Sequence, residues 1–116
     1  MKEITIPILN DEYKVFLVFG KPKKAQKILD KHGYKLYDLV VASKGNRGLC
    51  YCEGKHPPVI WMPHRLKTQD EFGTLAHEAV HAIAHIFRLI HQSQDTAGEV
   101  FAHSIEAVIR GVSQKQ

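Results

Sequence analysis

Residues 68–91 read TQDEFGTLAHEAVHAIAHIFRLIH, and the way this stretch folds decides the rest of the molecule. Thr68 followed three positions later by Glu71 has the pattern of a capping box, in which each side chain satisfies a backbone N–H of the other at a helix start. Behind it Phe72, Leu75, Ala76, Ala79, Val80, Ile83, Ile86, Phe87 and Ile90 recur at helical spacing and share one arc of the wheel. The spacing predicts a helix from Thr68 to about His91 with that arc against a core. The opposite arc carries His77, Glu78, His81, His85, Arg88 and His91.

A polar break, Gln92 to Thr96, separates this helix from a last one, expected over about Ala97 to Val112. Phe101, Ile105, Val108 and Val112 lie on one side of it, and Glu99, His103, Glu106 and Arg110 on the other. Upstream, residues 2–9 and 13–19 read as strands, the second in the β-branched and aromatic run YKVFLVF, with a turn at Asn10 and Asp11. A helix follows from Pro22 to His32, burying Ala25, Ile28 and Leu29 and ending on Gly33. Residues 34–48 are ambiguous and end in a polar turn. GLCYCEG (48–54) and PPVIWMP (57–63) read as two strands joined around Lys55 to Pro57. The expected class is therefore α+β: a small antiparallel or mixed sheet packed against the 68–91 helix and the C-terminal helix. At 116 residues and 44% hydrophobic content, 1–116 is expected to be one domain.

The start, MKEITIPILND, lacks the apolar core of a signal peptide, and VFLVF is far too short to span a bilayer. A cytoplasmic protein without membrane contact is expected. Cys50 and Cys52 are the only cysteines, and a CxC pair is too close in an extended chain to form an easy disulfide, so no disulfide framework is expected; they point to one side of a strand and read first as small packing residues. Sixteen Lys and Arg against twelve Asp and Glu give a net charge of +4. The tight cluster Lys21, Lys23, Lys24 and Lys27 falls at a helix start, where cations oppose the macrodipole. A solvated face is the ordinary reading of such a run, and nucleic-acid association the less favoured one.

His77-Glu78-Ala79-Val80-His81 is HExxH. Histidines four apart lie one turn from each other, so both imidazoles can meet a single zinc ion while Glu78 stands beside it and reaches a bound water. A glutamate there can accept the water's proton as it attacks a carbonyl and return it to the leaving nitrogen. A catalytic site needs a third ligand. The metzincin arrangement would place it six residues after His81, but Phe87 belongs to the core arc. Gluzincins take a glutamate from the following helix, and Glu99 occupies such a position, with the 92–96 break available to reverse the chain. The competing reading is an HExxH on a solvated helix, with Glu99 to His103 and Glu106 to Arg110 as ordinary i,i+4 pairs.

Two strands before GTLAHEAVHAI, then GEVFAHSIEAVIR, resemble a group of small phage and prophage proteins classed as zinc metallopeptidases of minimal gluzincin type. The resemblance covers about residues 48–110. It implies His77, His81 and Glu99 as zinc ligands, Glu78 as general base, VIWMP as the edge before the active-site helix, and a host-cell cytoplasm as the location. Such proteins often carry an acidic residue before the third ligand and a tyrosine four after it, where this chain has Gly98 and His103. His103, one turn from Glu99, is then the candidate to orient a ligand or stabilise an oxyanion. Glu106 could orient a ligand imidazole or simply pair with Arg110. His85 continues the stripe by one turn.

A zincin binds a peptide as an added strand along a sheet edge. Residues 58–62 are the expected edge, since proline is confined to edge strands or strand starts and Pro57 and Pro58 stand there. The alternative to a peptidase is a zinc-stabilised module that binds another protein and cuts nothing, its site closed by a further protein ligand such as His103 or His85.

Overall fold

Ile4, Ile6 and Ile8 are buried while the residues between them are not, so a single short strand already defines a core face and an outer face. The computed structural model describes residues 3–34, 38–90 and 98–116. Its elements are β1 (Glu3–Ile8), β2 (Tyr13–Phe19), α1 (Pro22–Lys31), α2 (Leu39–Ala42), β3 (Leu49–Tyr51), β4 (Val59–Met62), α3 (Gln69–Leu89) and α4 (Gly98–Lys115). The strands form one sheet in the order β1-β2-β4-β3. β2 pairs antiparallel with β1 and parallel with β4, and β3 pairs antiparallel with β4. The chain is α+β with a mixed sheet.

The two central strands are buried on both faces, as their unbroken apolar runs require. On one face Ile4, Ile6, Ile8, Val15, Leu17, Phe19, Ile60 and Met62 meet Leu75, Ala79, Ile83 and Ile86 of α3 and Val108 and Val112 of α4. On the other, Phe16, Val18, Val59 and Trp61 pack under Ala25 and Leu29 of α1, with Tyr34 and Leu39. Trp61 is thus a packing residue, and its indole N–H donates to the Gly20 carbonyl at 2.9 Å.

The expected edge at 58–62 is an interior strand. Pro58 precedes β4, and its carbonyl accepts from Phe16 N–H at 2.9 Å, opening the parallel ladder with β2. Proline at a strand start donates nothing that the ladder needs, so Pro57 and Pro58 mark where β4 begins and not which side it exposes. The sheet edges are β1 and β3.

The capping box forms as the sequence predicts: Glu71 N–H donates to Thr68 Oγ1 at 3.2 Å, and Thr68 N–H and Lys67 N–H donate to Glu71 Oε1 at 2.9 Å. Phe87 is in the core, whereas Val80, expected there, is 41% exposed. α4 runs past Val112 because its end is tied down: the Gln116 amide donates to the Leu66 carbonyl and accepts from Leu66 N–H, and Lys115 Nζ donates to the Thr5 carbonyl. His91, the 92–96 break and Ala97 lie outside the described residues.

β3 approaches α3 closely at Gly48, where a Cβ would stand 2.8 Å from Met62 Sδ, 3.0 Å from Thr74 Cγ2 and 3.3 Å from the Trp61 carbonyl oxygen. Gly48→Ala is expected to cost about 1–3 kcal/mol of stability as an overpacked site, read from the urea midpoint. A neutral result would mean that β3 is not set by this contact. Thr68→Ala should cost about 1 kcal/mol. The two backbone N–H groups hold the Glu71 carboxyl below its ordinary range. Its contribution is therefore complete above the unfolded carboxylate pKa, roughly 4.3, and lost as pH falls through the lower folded value. Comparing wild type with Glu71→Ala by thermal melts from neutral to acid pH should show a gap that closes in acid. A gap that widens would refute the capping role.

Candidate metal centre

α3 lies along the sheet because Leu75, Ala79, Ala82, Ile83 and Ile86 form a continuous buried line. That orientation leaves His77 and His81 exposed on its far side and holds Glu78 and His85 at the margin toward β3. The two imidazoles face each other with ring centroids 5.0 Å apart and planes at 79°. Among the described residues, no hydrogen bond engages either ring, so both pairs of nitrogens are open to an ion.

Glu78 is half-buried, and burial pushes its carboxyl above the ordinary range. Opposing this are the neighbouring His77 and His81 and the Cys50 N–H directed at the carboxylate. His85 does something different: its Nε2 stands 3.2 Å from the Gly54 carbonyl. A carbonyl only accepts, so Nε2 must carry the proton, and His85 ties α3 to the turn after β3. The Gly48–Thr74, Cys50–Glu78 and Gly54–His85 contacts run in step. The three residues of β3 and the turn after them lie beside eleven helical residues, ~16 Å of α3.

This places the outer strand of the sheet directly beside the HExxH turn. Leu49, Cys50 and Tyr51 stand opposite Trp61, Ile60 and Val59 of β4, and the Cys50 N–H turns toward Glu78. Toward the start of α3, a cleft of roughly 420 Å³ opens between Arg47, Met62, His64, Glu71 and Thr74.

Glu99 is not brought to the histidine pair. Phe101 stacks edge-on against Phe87 with centroids 5.2 Å apart, and Gln116 meets Leu66 at the other end, so the two helices are antiparallel in a defined register. Two residues before Phe101 stands level with two after Phe87, that is, Glu99 with Leu89. From His81 this is eight residues, about 12 Å along the axis. The Glu99 carboxylate is 94% exposed and lies 3.6 Å from His103 Nε2. His103 itself is 73% exposed and also 3.9 Å from Glu106. Glu106 pairs with Arg110 on the same outer face. In height Glu106 is level with the HExxH turn, but it points away from it. Among the described residues, no three His, Cys, Asp or Glu side chains stand together as a ligand set.

The pair is therefore half of a ligand set that zinc would accept: two imidazoles one turn apart, with a carboxylate next to them and not between them. The sequence pattern found these three residues. It read 48–54 as a strand with both thiols on one side but took 58–62 for the edge, so it did not put β3 and Cys50 beside the HExxH turn.

Among the described residues no helix is long and apolar enough to cross a membrane. Comparison with family models, curated proteins and solved structures returns no match.

Proposed function

We propose that the chain is a zinc-dependent peptidase. The observation that carries this reading is the joint placement of His77, Glu78 and His81 beside β3, an outer strand of the sheet. His77 and His81 would hold the ion. Zinc so held would supply a Lewis acid and a water of lowered pKa. Glu78 would accept the proton of the attacking water and hand it to the leaving nitrogen, a task that suits a carboxyl whose affinity for protons burial has raised. A substrate segment would add to β3 rather than to β4, taking main-chain hydrogen bonds from the outward groups of Cys50 and setting a side chain over the cleft at Arg47 and His64. Glu78 would release the Cys50 N–H as that segment pairs.

Glu99 would complete the ligand set if the first turn of α4 swings toward α3, with His103 following it toward the developing oxyanion. The outward position of Glu99 favours a second reading: a zinc-stabilised module that binds a protein partner and cuts nothing. Association with nucleic acid through Lys21 to Lys27 is the weakest of the three, since no feature beyond charge supports it.

Purified protein is expected to hold about one zinc per chain, lost in His77→Ala and in His81→Ala but kept in His85→Ala, whose ring is engaged with Gly54. Metal analysis reads this directly, and zinc retained in both of the first two variants would sink the assignment. In competition with a chelator, Glu99→Ala should release zinc more readily than Glu106→Ala. The reverse order moves the third ligand to Glu106.

Enzyme and scaffold separate at Glu78. Glu78→Gln keeps the shape and the ligands and removes the proton acceptor, so zinc content should survive while hydrolysis falls by ~10² to 10⁴-fold. The readout is new N-termini by mass spectrometry, on unfolded polypeptide and on lysate of the source cell. Equal cleavage by both proteins would remove Glu78 as base; none by either would favour the scaffold.

A further inference from the structure

Cys50 packs by its side chain against the core between the sheet and α3, but Cys52 joins neither apolar cluster. Packing therefore explains one thiol and not the other. Both are half-buried and free. They sit two residues apart on the edge strand and its exit, on the side facing α3, close enough to perturb each other's ionisation, with Arg88 of α3 near Cys52. β3 ends at Tyr51, so Cys52 is not held by the ladder and can move toward its partner.

We propose that Cys50 and Cys52 are a reversible redox pair, oxidised by low-molecular-weight disulfides to an intramolecular disulfide. Cys52 is the attacking sulfur. Its neighbours, the Cys50 thiol and the Arg88 guanidinium, favour its thiolate, whereas the adjacent Cys52 sulfur and then burial hold Cys50 protonated. The Cys52 thiolate attacks one sulfur of the reagent and expels one thiolate, leaving a mixed disulfide. Cys50 then loses its proton to solvent, attacks the Cys52 sulfur and expels the second thiolate. The chain gives up two electrons and two protons, and the reagent leaves as two thiols.

In an extended chain the Cβ atoms of residues i and i+2 stand roughly 6.6 Å apart, beyond the ~3.5–4.5 Å of a relaxed disulfide, so closure requires the strand exit at Cys52 to bend and leaves a strained, readily reduced bond. Such a bond suits a switch and not a staple. Closing it would draw in the segment that carries the Gly54 carbonyl bound by His85 and turn the Cys50 N–H that faces Glu78. The pair thus stands where its oxidation state can reset the HExxH turn, whatever reaction that turn performs.

The test is independent of zinc and of peptide cleavage. Purified wild-type chain, as isolated, is equilibrated in mixtures of reduced and oxidised glutathione, quenched with an alkylating reagent and weighed intact. Both thiols should disappear together without a glutathione adduct and return when reduced glutathione is restored. Cys50→Ser should accumulate one glutathione at Cys52, several times faster than Cys52→Ser accumulates it at Cys50. Two thiols still free in wild type under oxidised glutathione alone, or stable adducts at both, would overturn the pair. Faster modification at Cys50 would overturn the assignment of the attacking sulfur.

Discussion

The parallel pairing of β2 with β4 is the constraint from which the rest of the molecule follows. Both strands are apolar on both faces, so neither face of the sheet can be left to water. Parallel neighbours cannot be joined by a tight turn, and the chain between them supplies α1, which covers one face. α3, directly after β4, covers the other, and α4 returns along it to close over β1. Gly20 N–H donating to the Met62 carbonyl at 3.1 Å extends the same ladder to the point where α1 begins.

The site is a by-product of how α3 meets this sheet. A helix whose buried line runs through Leu75, Ala79, Ile83 and Ile86 has two margins. The margin toward α4 carries Phe87 against Phe101, and the margin toward β3 carries Glu78 and His85. His77 and His81 fall between these margins on the outer side. HExxH is therefore read out as geometry only because the apolar arc fixes the rotation of the helix, and the capping box fixes where its first turn starts.

Much of this was legible in the sequence. The capping box, the apolar arc and the run YKVFLVF are local signals, and each specifies its element without help from distant residues. Other features depend on who the neighbours are. VIWM reads as a strand, but its four apolar residues fit a central strand as well as a covered edge, and Pro58 fits the start of either. α2 is a four-residue turn held by Asp38 accepting from Val41 N–H and by Gln26 accepting from Leu39 N–H, the latter a contact between distant segments. The wheel correctly put Glu99, His103, Glu106 and Arg110 on one face of α4. A wheel carries no register between two helices, and register is what separates Glu99 from the histidine pair.

Glu78 itself is the strongest sign that this face has a use. A carboxyl drawn into a half-buried rim raises its own cost, and the Cys50 N–H and the two imidazoles offset only part of it. A leucine or methionine at position 78 would serve the packing of α3 on β3 better. Stability alone gives no reason for an acid at this rim, for two imidazoles exposed a turn apart beside it, or for a thiol at position 52 outside the core. Of these groups Glu78 is the one placed against the interest of the fold, since the exposed imidazoles beside it cost the packing nothing and its carboxyl does.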